Sequence, residues 1–416
     1  MSAVSPTTQP SVPASAEPPP IERRYLLLTF IPYYLDDAGD VWLDQLWHRD
    51  FVQHLRYLPK LTLAAPRLRA EDGPDDLVRV ELPAGAELEL WPLPHVQTTL
   101  SAAAQLPLTA ARLWRAIGEH DILHSGVAGW PIPIGWVGNA VAMLRKRPFV
   151  LMVESAPWRP STGDEGVKDH VRAAITEALA RFFVRRADVV FFTQPSYART
   201  LAREGQPGAH VTPATWIDEA DILTRELAEA RWAAKGDRVR LLFAGRLVAA
   251  KGVDLLLGAI RDLHDRGVRV DVDIIGDGPR RARCEAVAEQ VPGLRVLDPV
   301  PYGAPFFELL EGYHGVLVPS LGDEQPRIVF DAYARAVPVI ASDTDGLRPH
   351  VEEGETGWLF ARGDRAALAD VLERASQGAS TLRRMGLRAL AEAPGFTHRG
   401  MHLSRWRILH GRFGRR

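Results

Sequence analysis

Ten short apolar runs, interleaved with helical patterns, constrain this chain more than any other feature. The first five are YLLLTFIP (25–32), LTLAAP (61–66), DILHSG (121–126), FVLMVES (149–155) and VVFFTQ (189–194). The second five are RLLFAG (240–245), VDVDIIG (270–276), LRVLDP (294–299), GVLVPS (315–320) and PVIAS (338–342). Each is a continuous β-rich run of five to eight residues closed by loop formers, the mark of a strand buried on both faces of a parallel sheet. Amphipathic stretches such as VRAAITEALARFFVRRA (171–187), VDLLLGAIRDLHDRG (253–267) and RIVFDAYARA (327–336) supply the crossover helices. The order predicts an α/β chain of two doubly wound, Rossmann-like domains facing across a cleft. They run over 22–215 and 236–394, with a linker at 216–235. A length of 416 residues suits two to three domains of about 150 each.

The two ends read differently. Residues 1–21, rich in Pro, Ser and Ala with no apolar core segment, read as a disordered tail rather than a signal peptide. The basic segment 395–416 ends in HRGMHLSRWRILHGRFGRR, with six arginines and no acid. It is a helix packing back on the N-terminal domain, a solvated tail, or a contact to anionic lipid. No run reaches the ~20 apolar residues of a membrane span, so any membrane role would be peripheral, at the inner face. The net charge of −2 carries no bias toward nucleic acid. The one cysteine, Cys284, cannot form an internal disulfide, which fits a reducing cytoplasm. Its helical, charged setting without a histidine partner argues against a catalytic thiol.

In doubly wound sheets ligands bind beyond the carboxyl ends of the strands, and three motifs fall there. GRLVAAKG (245–252) follows a strand directly. Gly245 permits close approach of a ligand to the backbone, and Arg246 and Lys251 can converge on a diphosphate; a solvated basic loop is the alternative. IIGDGP, with Gly276, ends the next strand and by itself reads as a tight turn into a helix. DEQPRIVFDAYARAVPVIAS (323–342) carries the third. Pro326 suits a first helical turn, so the amides of Arg327, Ile328 and Val329 would face phosphate oxygens. Asp323 and Glu324 precede that helix, within reach of sugar hydroxyls or as caps. Asp331, seven residues after Glu324, would lie two turns on along the same face. There it holds a ribose diol or faces solvent.

The order and spacing of these motifs, with GETGWLF (354–360), resemble the C-terminal half of GT-B glycosyltransferases, most closely family 4 (group 1). The matching stretches cover roughly 240–362. The resemblance implies retaining transfer from a nucleotide-sugar, a UDP- or GDP-sugar, with no cofactor and no metal. It implies that Arg246 and Lys251 neutralise the diphosphate leaving group, that Asp323 contacts the donor sugar and that Asp331 contacts the ribose. The base would be read by backbone groups around Pro299 to Tyr302. The acceptor would be a saccharide or a lipid-linked glycan, in polysaccharide or glycoconjugate biosynthesis.

Departures from the family pattern are specific. Both signature acids are aspartates where glutamates are usual, and Glu324 is placed to supply the missing reach. The glycine loop reads DGLRP, keeping Gly346 of a usual GGxPE. The N-terminal half lacks the common Gly-Gly loop, with only Gly39, near Asp36 and Asp37, in a comparable place. Glu154 stands where a histidine is common, either contacting sugar or ending its strand. Asp37, Gly39, His124 and Glu154 are the acceptor-side candidates, with Trp42, Trp47, Trp130 and Trp158 as sugar platforms or core residues. Asp271-Val-Asp273 and Asp343-Thr-Asp345 imitate a DxD metal motif but lie in a strand and in the glycine loop. Two other readings compete: a nucleotide-sugar epimerase or phosphorylase on this scaffold, and a non-catalytic sugar-nucleotide-binding protein. The second draws on the shortened acids and the altered loop.

Overall fold

The structure, a computed structural model, describes residues 18–129, 132–161, 165–236 and 238–414. The tail over 1–17 and Trp130 lie outside the described residues. The N-terminal domain opens with β1 (Tyr25–Leu28), the short strands β2 (Tyr33–Leu35) and β3 (Val41–Asp44), and α1 (Gln45–Leu55). It continues through β4 (Lys60–Arg69), β5 (Leu77–Arg79), β6 (Glu87–Leu93), α2 (Thr99–Glu119), β7 (Ile122–Gly126) and α3 (Ile134–Leu144). β8 (Phe149–Val153), α4 (Val167–Val184), β9 (Val189–Phe192), α5 (Pro195–Leu201) and β10 (Ala209–Val211) complete it. These strands form one ten-stranded sheet in the order β10-β9-β8-β7-β1-β4-β2-β3-β5, with β6 also paired to β4.

The C-terminal domain begins with α6 (Arg225–Ala234), β11 (Arg240–Ala244), α7 (Val253–Asp265), β12 (Asp271–Ile275), α8 (Arg281–Ala288) and β13 (Leu294–Leu297). It continues with α9 (Ala304–Glu311), β14 (Gly315–Val318), α10 (Ile328–Ala334), β15 (Val339–Asp343) and β16 (Gly357–Ala361). Helices α11 (Arg365–Ser376), α12 (Ala379–Glu392) and α13 (His398–Phe413) follow. Its sheet is parallel throughout, ordered β13-β12-β11-β14-β15-β16. Fully buried strands such as β1, β9 and β14 are the continuous apolar runs of the sequence, as expected where helices cover both faces. Each sheet has one apolar cluster on either side.

Three boundaries differ from the sequence reading. Ile21 is fully buried and its amide donates to the Tyr57 carbonyl, so the inner end of the tail belongs to the N-terminal domain. Helix α6 lies inside the expected linker, yet Trp232 packs into the C-terminal core and donates to the Ala336 carbonyl. The basic C-terminal segment is α13, which crosses back onto the N-terminal domain. Leu409 joins that domain's core, Trp406 donates to Pro19 O and Arg412 pairs with Asp188 at 2.7 Å. Among the described residues no helix is long and apolar enough to cross a membrane.

The domains are clasped along the cleft. Gln325 exchanges two hydrogen bonds with the Ala214 backbone, at 2.8 and 2.9 Å. Gln194 and Tyr197 both donate to the Asp323 carbonyl. Arg49 on α1 pairs with Asp218 and Asp221, at 2.5 and 3.1 Å.

Candidate functional site

The strand ends of the C-terminal sheet bring the expected donor residues to the cleft. β11 ends at Ala244, and the next residue, Gly245, faces open space, while Gly276 after β12 lies directly behind it. A Cβ at Gly276 would sit 1.9 Å from the Gly245 carbonyl, and φ is +149° there, so the two loops approach this closely only with glycine. Arg246 is exposed beside Gly245. Lys251 projects from the turn before α7 and donates to Glu324 Oε2 at 2.7 Å. Its ammonium is thus already oriented toward an anionic group in the cleft.

The acidic signature folds differently from the sequence reading. Helix α10 starts only at Ile328, so Asp323 and Glu324 lie in the preceding loop, and helical periodicity does not place them on one face with Asp331. The loop is held by Gln194, Tyr197 and Gln325 from its two sides. Asp323 is partly exposed and pairs with Arg362 at 3.2 Å. The Val329 amide is committed to Pro326 O. Arg327 stacks its guanidinium 4.5 Å over the Trp216 ring and reaches 3.6 Å toward Glu154 across the cleft. Gly346 packs where a side chain would collide with Glu324 O and Gln194, so the surviving glycine of the altered loop serves the domain contact.

Asp331 neither faces solvent nor stands open to a ligand. It is 4% exposed, and the Tyr302 hydroxyl donates to its Oδ1 at 2.9 Å. Burial pushes its carboxyl up to about 7, against the Tyr302 hydrogen bond and the Arg327 charge, which both lower it. Tyr302 itself packs against Phe306 and Phe307. It borders a cavity lined by Gln45, His48 and Arg49 of α1.

On the acceptor side the candidates divide. A cavity of about 190 Å³ is lined by Thr29–Ile31 after β1, Trp47, Asp50, His54, His124, Glu154 and Arg405. His124 and Glu154 are therefore both at a site. His124 also accepts or donates a 3.1 Å bond with Tyr25 Oη, and burial lowers its pKa to about 3, so it is neutral. Asp37 and Gly39 are not brought there. They form the β2–β3 turn, in which Asp36 accepts from the Asp40 amide and from Trp42 Nε1. The loop that does occupy the cleft after β1 is Thr29–Pro32, which carries no glycine. Trp158 donates to Glu177 at 2.8 Å and packs beside α4.

The remaining sequence features resolve simply. Asp271 is salt-bridged to Arg238, just before β11, and Asp273 to Arg240 and Arg295 of its own sheet. Asp343 and Asp345 are bound by Arg348, and Asp345 also by Arg199. Burial lifts the Cys284 thiol to about 11, which keeps it an unreactive core residue. One cluster that sequence reasoning missed has metal-ligand spacing among the described residues: Asp50, His398 and His402, with ligating atoms within 4.8 Å. Arg405 lies 3.9 Å from the same Asp50 oxygen. Its positive charge already balances the carboxylate and opposes a dication there. Tyr302, Arg362, Gln194 and Arg405 were also missed as partners; each meets its target across 29 or more residues of chain.

Two parallel-sheet domains facing across a cleft, with a glycine-edged basic loop on one side, define the GT-B fold. The C-terminal domain of the chain is similar to the group 1 glycosyl transferases. Residues 238–377 match the family described as "Glycosyl transferases group 1". A D-inositol 3-phosphate glycosyltransferase of Nocardia farcinica is 34% identical over 164 residues, 37% of this chain and 36% of that protein. The Streptomyces scabiei protein of the same name is 28% identical over 302 residues, 67% of this chain and 65% of that one. The chain thus spans about a third to two thirds of the length of these curated relatives. The Anabaena protein Alr3699/HepE, solved in complex with UDP, superposes with a TM-score of 0.62 at 15% identity, over 93% of this chain and all of that one.

Proposed function

We propose that this protein is a retaining glycosyltransferase that moves a sugar from a nucleotide-sugar, a UDP- or GDP-sugar, to an acceptor held by the N-terminal domain, in glycoconjugate or polysaccharide synthesis. The observation that carries the reading is the Gly245–Lys251 loop. It sets an open glycine, an exposed arginine and a forward-pointing lysine at the carboxyl end of β11, opposite Asp323. In this reading Arg246 and Lys251 stabilise the diphosphate as the bond from the anomeric carbon to the phosphate oxygen breaks. The acceptor oxygen forms the new bond on the same face, and its proton passes to the departing phosphate oxygen. Asp323 orients the sugar, exchanging its bond with Arg362 for one with a hydroxyl. Glu324 leaves Lys251 as the diphosphate arrives. The Anabaena protein, solved with UDP and with UDP-glucose, supports a nucleotide-sugar donor.

The test is a thermal-shift screen with UDP-, GDP- and ADP-sugars, followed by nucleotide-release assays on the stabilising donor. Arg246→Ala and Lys251→Ala each lower turnover by about 10²–10³, with the fold unchanged by circular dichroism. Turnover that persists in both variants sinks the assignment of the phosphate site. A second reading, a non-catalytic sugar-nucleotide-binding protein, draws on the capping of Asp331 by Tyr302 and of Asp323 by Arg362. It predicts nucleotide stabilisation without release from any donor.

A further inference from the structure

Helix α4 is apolar on two opposite faces. Ala173, Ala180 and Phe183 are buried against the sheet, whereas Val167, Val171, Ile175 and Phe182 point into solvent. At the helical turn angle these four fall in one narrow sector, opposite the buried face. Their exposure runs from 40% at Phe182 to 81% at Val167. Exposed Ala174 and Ala178 fill the gaps between them, so the stripe spans the helix.

The neighbouring helices extend this face. α2, α3 and α4 cover the same side of the N-terminal sheet, each giving its buried residues to one apolar cluster. α2 adds exposed Leu100, Leu106 and Leu108, and α3 adds Leu144. Nine of the thirteen large apolar side chains exposed among the described residues lie on these three helices. A patch of that kind marks an interaction site. Charge gathers on the same layer. Residues 99–119, 134–147 and 167–186 carry ten Lys and Arg against three acids, a net +7 in a chain of net −2. Of the acids, Glu119 pairs with Arg115, Glu177 with Arg159 and Arg181, and Asp169 accepts from the Gly166 amide. Lys168 and Arg185 are exposed at the two ends of the α4 stripe, and Lys146 beside Leu144.

The combination selects the partner. A second copy of the chain would set this face against itself, because a two-fold interface uses the same patch twice, and would bring ten cations onto ten. A nucleic acid would meet the cations and leave the aliphatic stripe in water. An anionic bilayer satisfies both, taking aliphatic side chains at the acyl boundary and cations at the headgroups. We propose that α2, α3 and α4 form a docking face for the surface of an anionic lipid bilayer. The face lies across the sheet from α13 and is separate from the basic C-terminal segment. It also reaches the cleft. A groove of about 1040 Å³ is walled by Val167, Val171, Ile175 and Trp136 and extends to Phe30 and Ser155, which line the cavity beside Glu154 as well. Docking through this face brings the mouth of that cavity to the bilayer surface.

The experiment floats the full chain with vesicles of phosphatidylcholine alone and of an equal mixture with phosphatidylglycerol. The mixed vesicles are expected to bind the chain about tenfold or more tightly than the neutral ones, with the difference shrinking as salt is raised. Val171→Asp/Ile175→Asp lowers that binding by about tenfold or more, and Lys146→Glu/Lys168→Glu also weakens it. All four side chains are exposed, so circular dichroism and Tm stay close to native and report an intact fold. Arg407→Glu on α13 leaves vesicle binding unchanged. No binding to mixed vesicles, equal binding to neutral ones, or binding kept by Val171→Asp/Ile175→Asp overturns the proposal. So does a loss confined to Arg407→Glu, which would move the contact to the C-terminal segment. Sedimentation without vesicles covers the remaining partner: self-association of the native chain that Val171→Asp/Ile175→Asp disperses assigns the face to a second copy and overturns the proposal too. None of these readouts involves a donor, so they are independent of the transferase reading.

Discussion

Replacing Asp331 by asparagine tests whether a buried carboxyl is kept at the expense of stability. Burial raises this group from 3.8 to about 7. A folded-state pKa above the unfolded value means the native protein binds the proton more tightly. The group's contribution is therefore fully favourable below about pH 4 and is lost as pH rises through 7. At 1.36 kcal/mol per pH unit the full loss has a ceiling of roughly 4 kcal/mol at pH 8. Asparagine keeps the shape and an acceptor for the Tyr302 hydroxyl without ever ionising. Its added amide hydrogens need a partner, which costs about 1–3 kcal/mol if unmet. The net expectation at pH 8 is a gain of roughly 1–3 kcal/mol, or about 2–4 °C in Tm for each kcal/mol in a domain of this size. At pH 4.5 the advantage vanishes, since the native carboxyl is then neutral too. Melting of both proteins from pH 4.5 to 8.5 measures the difference curve. A variant destabilised equally at every pH would refute the reasoning, because Asp331 would then be an ionised, partnered group.

Two further perturbations probe the frame around the site. Gln325→Ala leaves the Ala214 amide and carbonyl without their buried partner, a cost of about 2–4 kcal/mol. Limited proteolysis should then cut faster within 212–224, where the clasp between the domains is loosened. Asp50→Asn removes the charge that faces His402, His398 and Arg405, a loss of about 3–5 kcal/mol for a broken buried ion cluster. Hydrogen exchange should report it as early loss of protection in α13, and exchange confined to global unfolding would count against that docking role.

The architecture was legible in the sequence because parallel strands buried on both faces leave continuous apolar runs, and every predicted run contains a strand. The antiparallel edge was not legible. β2, β3 and β5 are three or four residues each, broken by Asp and Gly turns, and too short to show alternation. β16 was missed for another reason: GETGWLF was read as a motif, whereas Gly357–Ala361 is the edge strand paired to β15. For the donor loop, spacing sufficed, since Gly245, Arg246 and Lys251 are neighbours in sequence and the strand end aims them together. Asp323 and Glu324 precede the helix as expected, but the chain stays non-helical until Ile328, so no helical face joins Glu324 to Asp331. Tyr302 was expected only as backbone, and its side chain became visible as a partner of Asp331 once α9 and α10 were packed.

The long-range pairs missed by the sequence share one physical feature. Lys251 holds Glu324, Asp323 holds Arg362, Asp331 holds Tyr302 and Glu154 holds Arg327. Each of these four groups is thus already satisfied by another part of the chain. A ligand entering such a cleft exchanges one set of hydrogen bonds for another rather than stripping water from bare charges, so the desolvation of the protein groups is largely met on folding. The exchange also frees partners that belong to different domains or loops: Arg327 from Glu154, and Glu324 from Lys251. Because Asp323, Glu324 and Gln325 are consecutive, with the first and third bound to the N-terminal domain, release of Glu324 acts on the same short loop that joins the domains. In the proposed reading, donor binding therefore acts on the loop that joins the domains.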